Sequence, residues 1–450
     1  MHVLLVNPWI TDFAAYDFWI KPLGLLCAGA FLRARGHDIR LADCMDRFQP
    51  GAGVDHHRDT RRFNTGKFHR EILPTPSSLA HVPRHFCRYG IPVERFREIV
   101  REGDRPDAVL VTSVMTYWYP GVFEAIGEIS SLLPGVPVIL GGIYAALLED
   151  HARTHSGADY VVTSQNPRDI IEAVESVGVE GTGQITGDCL TEWPDTPWDL
   201  YGTLKTATVM TTRGCPLDCS VCASRFLFDG FERRQPEHAA AEIMGLAARG
   251  VEDVAFCDDA LIIDSDRHAA VLFERLAAGG APVRLHTPNG LHIREITSSL
   301  ARLMKRAGVA TVRLSLETAS EERFGDFSRK VSREDFRRAA GALFDAGFGA
   351  DDLGAYVIVG LPHQTRSEVE DTIAFASSCG VPVRPALYSP VPWTREFDRA
   401  VRAGMVAPDG DPLLQNNTLR TVDWFDEYPG GYGEFRELVN EVNRSLVRKE

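Results

Sequence analysis

Thr206-Ala-Thr-Val-Met-Thr-Thr-Arg213-Gly214-Cys215-Pro-Leu-Asp-Cys219-Ser-Val-Cys222 is a β-rich run that breaks on Arg213-Gly214 into a loop carrying three cysteines. Threonine and valine favour a pleated, half-buried strand, and Gly, Pro and Asp favour the turn after it. The spacing CxxxCxxC brings three thiolates onto one short loop, where they can converge on one metal centre. The other six cysteines (27, 44, 87, 189, 257 and 379) are scattered singly. A structural zinc site wants a fourth Cys or His nearby. The next histidine, His238, lies well beyond the loop in a helix-like segment. Iron–sulfur clusters are held by thiolates, usually four to a cubane. Three protein thiolates leave one iron open to a substrate or cofactor. A zinc knuckle completed from a distance, or three buried thiols, is the alternative reading of the same residues.

Downstream the pattern alternates between strand-like and helix-like segments, which argues for parallel βα units. After the strand before Cys215 come Val251–Cys257, Pro282–Thr287, Ala310–Leu316, Ala355–Val359 and Val381–Tyr388, six strands in all. Amphipathic helices separate them, such as Ser299–Gly308, which closes on a glycine. In such barrels the chemistry sits at the carboxyl ends of the strands. The polar residues there are Asp258 and Asp259, Asn289, Ser315 and Glu317, and the Gly360-Leu-Pro-His-Gln-Thr365 turn. Helix capping by the two aspartates is the plain alternative.

The cysteine loop resembles that of radical S-adenosylmethionine (SAM) enzymes. The resemblance implies a partial (β/α)6 barrel over residues 206–395. It implies a 4Fe–4S cluster on Cys215, Cys219 and Cys222, with SAM chelated to the open iron and reductively cleaved to methionine and a 5′-deoxyadenosyl radical. It places Asp258 or Asp259 where the methionine ammonium is received. Glu317 resembles the barrel glutamate that meets the ribose or the ammonium. Lys330 resembles a lysine that meets the carboxylate, with a solvated charge as its alternative. Asn289, Ser315 and Gly360 look like further SAM-contacting positions. The resemblance also implies an electron donor such as a flavodoxin or ferredoxin. Val221 departs from it, because the family usually carries an aromatic residue there that packs on the adenine.

Residues 1–180 read as a second α/β unit. Val3–Asn7, Asp38–Ala42, Ala108–Ser113, Pro137–Gly142 and Asp159–Thr163 are strand-like, with a helix from Pro22 to Arg35 between the first two. Strand, helix, strand with glycine at the ends describes a Rossmann-like sheet, whose ligands lie beyond the carboxyl ends of the strands. This half resembles the cobalamin-binding domain fused ahead of many radical SAM domains. The matching residues are Asn7-Pro8, Pro22-Leu-Gly24, Ser113-Val-Met115-Thr116 and Gly141-Gly142-Ile-Tyr144. The resemblance implies cobalamin, with Gly141 and Gly142 admitting its nucleotide tail and Ser113 and Thr116 bonding it. The Asp-x-His-x-x-Gly motif that supplies a lower axial histidine is missing. Thr163-Ser-Gln-Asn-Pro167 replaces the usual acidic turn. Tyr117-Trp118-Tyr119 is a bulky block that either stacks on a corrin or fills an empty site.

An insertion, residues 45–104, separates the second and third strands. Between 51 and 100 it carries nine Lys or Arg against five acids, in a chain of net charge -14. A basic patch on an acidic protein suits an anionic small-molecule substrate, and a solvated lid is the alternative. Its five histidines match no metal-ligand spacing. Residues 181–205 read as a linker, and 396–450 as a C-terminal extension over the open side of the barrel. The overall acidity argues against nucleic acid, and no apolar run is long enough to span a membrane, so a cytoplasmic enzyme is expected. Three functions follow from these residues. They are cobalamin-dependent methylation of an unactivated carbon on a small-molecule or natural-product substrate, a cobalamin-independent radical SAM cyclisation or rearrangement, and a non-catalytic zinc- or nucleotide-binding module.

Overall fold

The structure, a computed structural model, describes residues 1–178, 181, 193–280, 282–328 and 331–447 of the 450-residue chain. It divides into two compact units, Met1–Thr208 and Val209–Glu450. Most of the expected linker, and Lys330, lie outside the described residues.

The first unit is built on five parallel strands in the order Asp38–Asp43, His2–Asn7, Ala108–Val111, Val138–Leu140, Tyr160–Val161. Alternate side chains serve opposite faces, so the central strands are apolar throughout. Leu4, Val6, Val109 and Val111 pack with Phe96, Ile126 and Ile129 on one face. Val3, Leu5, Ala108 and Leu110 pack with Phe31, Ile171 and Val174 on the other. The strand order reverses between His2–Asn7 and Ala108–Val111. A sheet that reverses in this way opens a crevice beyond the carboxyl ends of the two strands.

The last three strands of this sheet are shorter than the sequence pattern. At the ends of two of them the polar or glycine residue is committed elsewhere. The Ser113 hydroxyl donates to the Gly141 carbonyl at 2.6 Å, and Gly142 leaves the sheet at φ +93°. A Cβ on Gly142 would stand 2.3 Å from the Ser113 carbonyl oxygen. Gly142→Ala therefore combines left-handed strain with a backbone clash. It is expected to destabilise the unit by about 2–4 kcal/mol, read as a lowered denaturation midpoint.

The insertion does not remain a loose lid. Arg70–Ile72 and Cys87–Tyr89 join Ile10–Asp12 in a small antiparallel sheet. Met45, Cys87 and Tyr89 pack beneath Ile10, Ala15 and Phe68.

A six-stranded sheet, five of whose strands lie wholly in the second unit, runs in unbroken chain order: Thr206–Val209, Asp253–Phe256, Arg284–Leu291, Val309–Glu317, Leu353–Val359 and Val383–Leu387. The registered neighbours from Asp253–Phe256 onward are parallel. A singly wound parallel sheet of this kind is a partial (β/α)6 barrel. The final helix, Gly431–Val447, covers its last strand, and the Asn443 side chain brackets both the N–H and the C=O of Val383. This satisfies backbone groups that an edge strand would leave unpaired. Among the described residues no helix is long and apolar enough to cross a membrane.

Candidate functional site

The cysteine loop leaves the first barrel strand as a closed excursion. Thr212–Arg213 pairs with Glu232–Arg233 across its base, and Arg213 bridges to Glu232 at 3.0 Å. Gly214 sits at φ +74° with its Cα face 2.0 Å (as a Cβ) from the Gly230 carbonyl, so no side chain fits at this crossing. From the far side the loop is held by Asp326, after the fourth barrel strand, and by the segment from Arg395 that opens the C-terminal extension. The Ser220 N–H donates to the Asp326 carbonyl at 2.7 Å, and the Glu396 N–H donates to the Ser220 carbonyl at 3.0 Å. Arg395 and Arg225 both grip Asp218. Val221 packs against a cluster that includes Phe327, Leu361 and Phe397, so its aliphatic side chain serves a core contact.

Burial pushes the Cys215 thiol up to about 11, and the neighbouring Cys222, Cys219 and Asp259 push it the same way. Three mutually repelling thiols ionise together only when a cation takes the place of their protons. The Ser224 N–H already points at the Cys222 sulfur at 3.4 Å, as a thiolate would require. Among the described residues no three His, Cys, Asp or Glu side chains converge closely enough for a single metal ion, which needs thiolates within about 4 Å of one another. A cubane spreads its thiolates over separate irons. The donor chemistry of this loop fits such a cluster.

The two aspartates after the second barrel strand divide their work. Asp258 departs from its expected place at the methionine ammonium. Its buried Oδ1 accepts from the N–H and hydroxyl groups of both Thr211 and Thr212. Burial raises its carboxyl to about 6, against those hydrogen bonds, and Oδ2 is buried without a hydrogen-bond partner among the described residues. It therefore clamps the segment that leads into Cys215. Asp259 is the one beside the cysteines. It accepts from Ser224 at 2.6 Å, and desolvation raises its carboxyl above the usual range.

His268 completes the clamp. Its Nε2 stands 2.9 Å from the Thr211 hydroxyl. Because that hydroxyl donates to Asp258, Nε2 is the protonated nitrogen. Burial pushes the ring's pKa down to about 4, so it stays neutral.

Glu317 ends the fourth barrel strand at φ +63°, just past a register shift against the fifth strand. A left-handed glutamate at a strand end is strained, and such strain clusters at functional sites. Asn289 donates to the carbonyls of Cys257 (2.8 Å) and Asp258 (3.3 Å), tying the second and third strand ends together. Ser315 is buried with its hydroxyl against Gly290. The Gly360 N–H donates to Gln364 at 2.7 Å, and methylenes of Arg420 cover its Cα. Ser315 and Gly360 are thus occupied by packing rather than open.

One residue here carries no sequence signal of its own, and a second lies inside a turn the sequence singled out. His292 brings Nε2 to 3.9 Å from the Cys215 sulfur, and Gln364 pins the turn after the fifth strand through Ile358, Gly360 and Leu361.

In the first unit a cavity of about 970 Å³ lies at the switch point. Of the residues expected to hold cobalamin, Pro22, Ser113 and Met115 line it. Thr116, Tyr117, Gly141, Gly142 and Tyr144 do not, and Gly24 is exposed away from it. Tyr117 and Tyr144 are buried, and the Tyr144 hydroxyl is bonded to His151 at 2.7 Å. The close approach that Gly142 permits is made by the Ser113 backbone. A nucleotide tail at that position would have to displace it.

Residues 209–376 match the model of the radical SAM superfamily, which places a radical SAM domain in the second unit. An uncharacterised methyltransferase of Pyrococcus horikoshii is 24% identical over 269 residues. That match spans 58% of this chain and 52% of the relative, about half its length. Among solved structures, the radical SAM methyltransferase TsrM of Kitasatospora setae, with tryptophan substrate and a SAM analogue bound, is similar in fold. Its TM-score is 0.63 at 16% identity, covering 94% of this chain and 84% of that one. The cobalamin-dependent SAM radical enzyme OxsB, with aqua-cobalamin bound, gives a TM-score of 0.57 at 12% identity over 89% of this chain and 55% of its own. The shared fold thus extends across both units.

Proposed function

We propose that this protein is a cobalamin-dependent radical SAM methyltransferase acting on an unactivated carbon of a small organic molecule. The observation that carries the reading is the joining of a three-cysteine barrel to a switch-point sheet with a large cavity at its strand ends. The folds of TsrM and OxsB and the methyltransferase relative support it. When bound, the cluster supplies an electron for reductive cleavage of SAM, and cobalamin supplies a methyl carrier. The chain's own residues bind and orient. Cys215, Cys219 and Cys222 would hold the cluster, and Asp259 and Glu317 would receive the polar groups of SAM. A carboxylate facing an ammonium in a partly dry site makes a strong, directional contact. Pro22, Ser113 and Met115 would border the corrin. Lys330 is proposed at the SAM carboxylate. The electron would come from a flavodoxin- or ferredoxin-like donor in the cytoplasm.

A second reading, radical SAM chemistry without cobalamin, is favoured by the packing of Ser113, Gly142 and Tyr144 where a nucleotide tail is expected. One experiment separates the two. The chain is reconstituted anaerobically with iron, sulfide and hydroxocobalamin, desalted, and given SAM labelled at its methyl group together with a low-potential one-electron reductant. The expected result is stoichiometric retained corrin and methyl-labelled cobalamin. Deoxyadenosine formation with no retained corrin would transfer the chain to the second reading.

A further inference from the structure

We propose that the first unit's cavity is a binding site for a small organic anion with a flat apolar body, and that the insertion supplies its anion-recognition rim. Trp9, Phe13, Phe68 and Trp118 line the walls, which suits a planar or aromatic body. Their polar handles are already satisfied. The Trp9 indole donates to the Ile91 carbonyl at 2.7 Å and that of Trp118 to Asp12 at 2.7 Å, so both present ring surface rather than a donor.

The charges around the cavity are unbalanced. Its acids are committed, Asp17 to the buried Arg47 at 3.2 Å and Asp59 to Arg58 at 3.4 Å. Lys21 is equally committed, to Asp46 at 3.0 Å, and His69 stands 3.5 Å from Glu71. Lys67, Arg70 and Arg84 remain. All three are exposed and border the cavity, and none stands within ion-pair distance of a carboxylate among the described residues, while Lys67 acts on Asp59 at longer range. Arg70 lies beside the Tyr89 phenol. Three cations over an aromatic chamber, in a protein of net charge -14, form a local field that opposes the surface around it. A carboxylate, sulfonate or phosphate on the ligand would complete the rim. Two sources share that chemistry, the methyl acceptor of the proposed reaction and the phosphodiester of cobalamin. We assign the rim to the acceptor, an assignment that rests on the proposed function. The anion site itself does not.

The test uses two matched fluorescent probes that differ by one sulfonate, 8-anilinonaphthalene-1-sulfonate and N-phenyl-1-naphthylamine. Both are titrated into the reconstituted full chain with and without hydroxocobalamin. The sulfonate is expected to bind at least about tenfold more tightly, with the preference shrinking as salt is raised. The triple variant K67Q/R70Q/R84Q is expected to lose that preference while binding the neutral probe as before and retaining corrin. All three positions are exposed, so the variant should fold. Equal binding of the two probes by the wild-type chain, or a preference that survives in the variant, would overturn the anion site. Displacement of the sulfonate by cobalamin, with loss of corrin in the variant, would overturn the assignment to the acceptor and give the rim to the cofactor. If the wild-type chain keeps the sulfonate preference but retains no corrin, the anion site stands and only the cobalamin reading falls.

Discussion

Replacing Cys215, Cys219 or Cys222 singly by alanine is expected to strip the anaerobically reconstituted protein of its iron and of SAM cleavage, while leaving the fold in place. The loop does not depend on its sulfurs for shape. It is closed by the Thr212–Arg233 pairing, by the Ser220 bonds to Asp326 and Glu396, and by Val221 in its apolar cluster. A thiol-to-methyl change therefore removes a ligand without opening a buried cavity of any size. SAM cleavage should fall by more than about 100-fold, the upper range for residues that only support a metal ligand. Iron content, the visible absorbance of the cluster and deoxyadenosine release measure the loss, and the denaturation midpoint measures the fold. A variant that keeps its iron and its cleavage rate would refute the assignment of these thiols.

The second large effect is expected at Asp258. Asp258→Ala removes the acceptor that satisfies two backbone N–H groups and two hydroxyls in the interior. Each buried donor left unpaired costs about 1–3 kcal/mol, although the threonine hydroxyls can turn to other partners. A net loss of about 2–4 kcal/mol is expected at neutral pH, because relief of a buried carboxylate offsets part of the penalty. Thr211 and Thr212 lead directly into Cys215, so iron incorporation should fall as well.

Asp258→Asn keeps an acceptor in place and removes the charge, and its signature is in the pH dependence. The native carboxyl titrates near 6 and the unfolded one near 3.8. Between those values the folded protein holds a proton that the unfolded chain has released. Raising the pH through this window therefore lowers stability, and the loss is complete above about 6. A difference of about two pKa units corresponds to about 3 kcal/mol. The stability of Asp258→Asn relative to wild type should rise by about that amount between pH 4 and pH 7 in chemical denaturation. A constant difference across the range would show that Asp258 is ionised in the fold at all these pH values.

The six barrel strands, the five-stranded parallel sheet and the cysteine loop were legible in the sequence because each is a local pattern. Apolar runs of strand length, glycine-closed helices and ligand spacing are all written within a few residues of one another. The order of strands in the first sheet was not, because a switch point is a property of pairings between His2–Asn7 and segments far along the chain. The same limit separates the two adjacent aspartates. Neighbours in sequence at a strand end point to different sides. Only the packed structure turns Asp258 inward to Thr211 and Thr212 and leaves Asp259 beside Cys215. His292 was invisible for a related reason, since its partner Cys215 comes from a loop far away in the chain.

The glycine pair at 141 and 142 shows how one local signal serves two different ends. That something could approach the backbone closely there was readable from the residue type. Whether a ligand tail or the chain itself fills the space above Gly142 depends on what folds over it, and here that is Ser113. The sequence by itself determined the elements, the three-cysteine spacing and the excess of cations in the insertion, since short-range periodicity, spacing and charge are intrinsic to the chain. Only the tertiary structure decided which of those charges are already neutralised, which strand-end residues are consumed by packing, and that Lys67, Arg70 and Arg84 stand together at one cavity. Burial and pairing are relations between distant residues, and they do not exist until the chain has closed on itself.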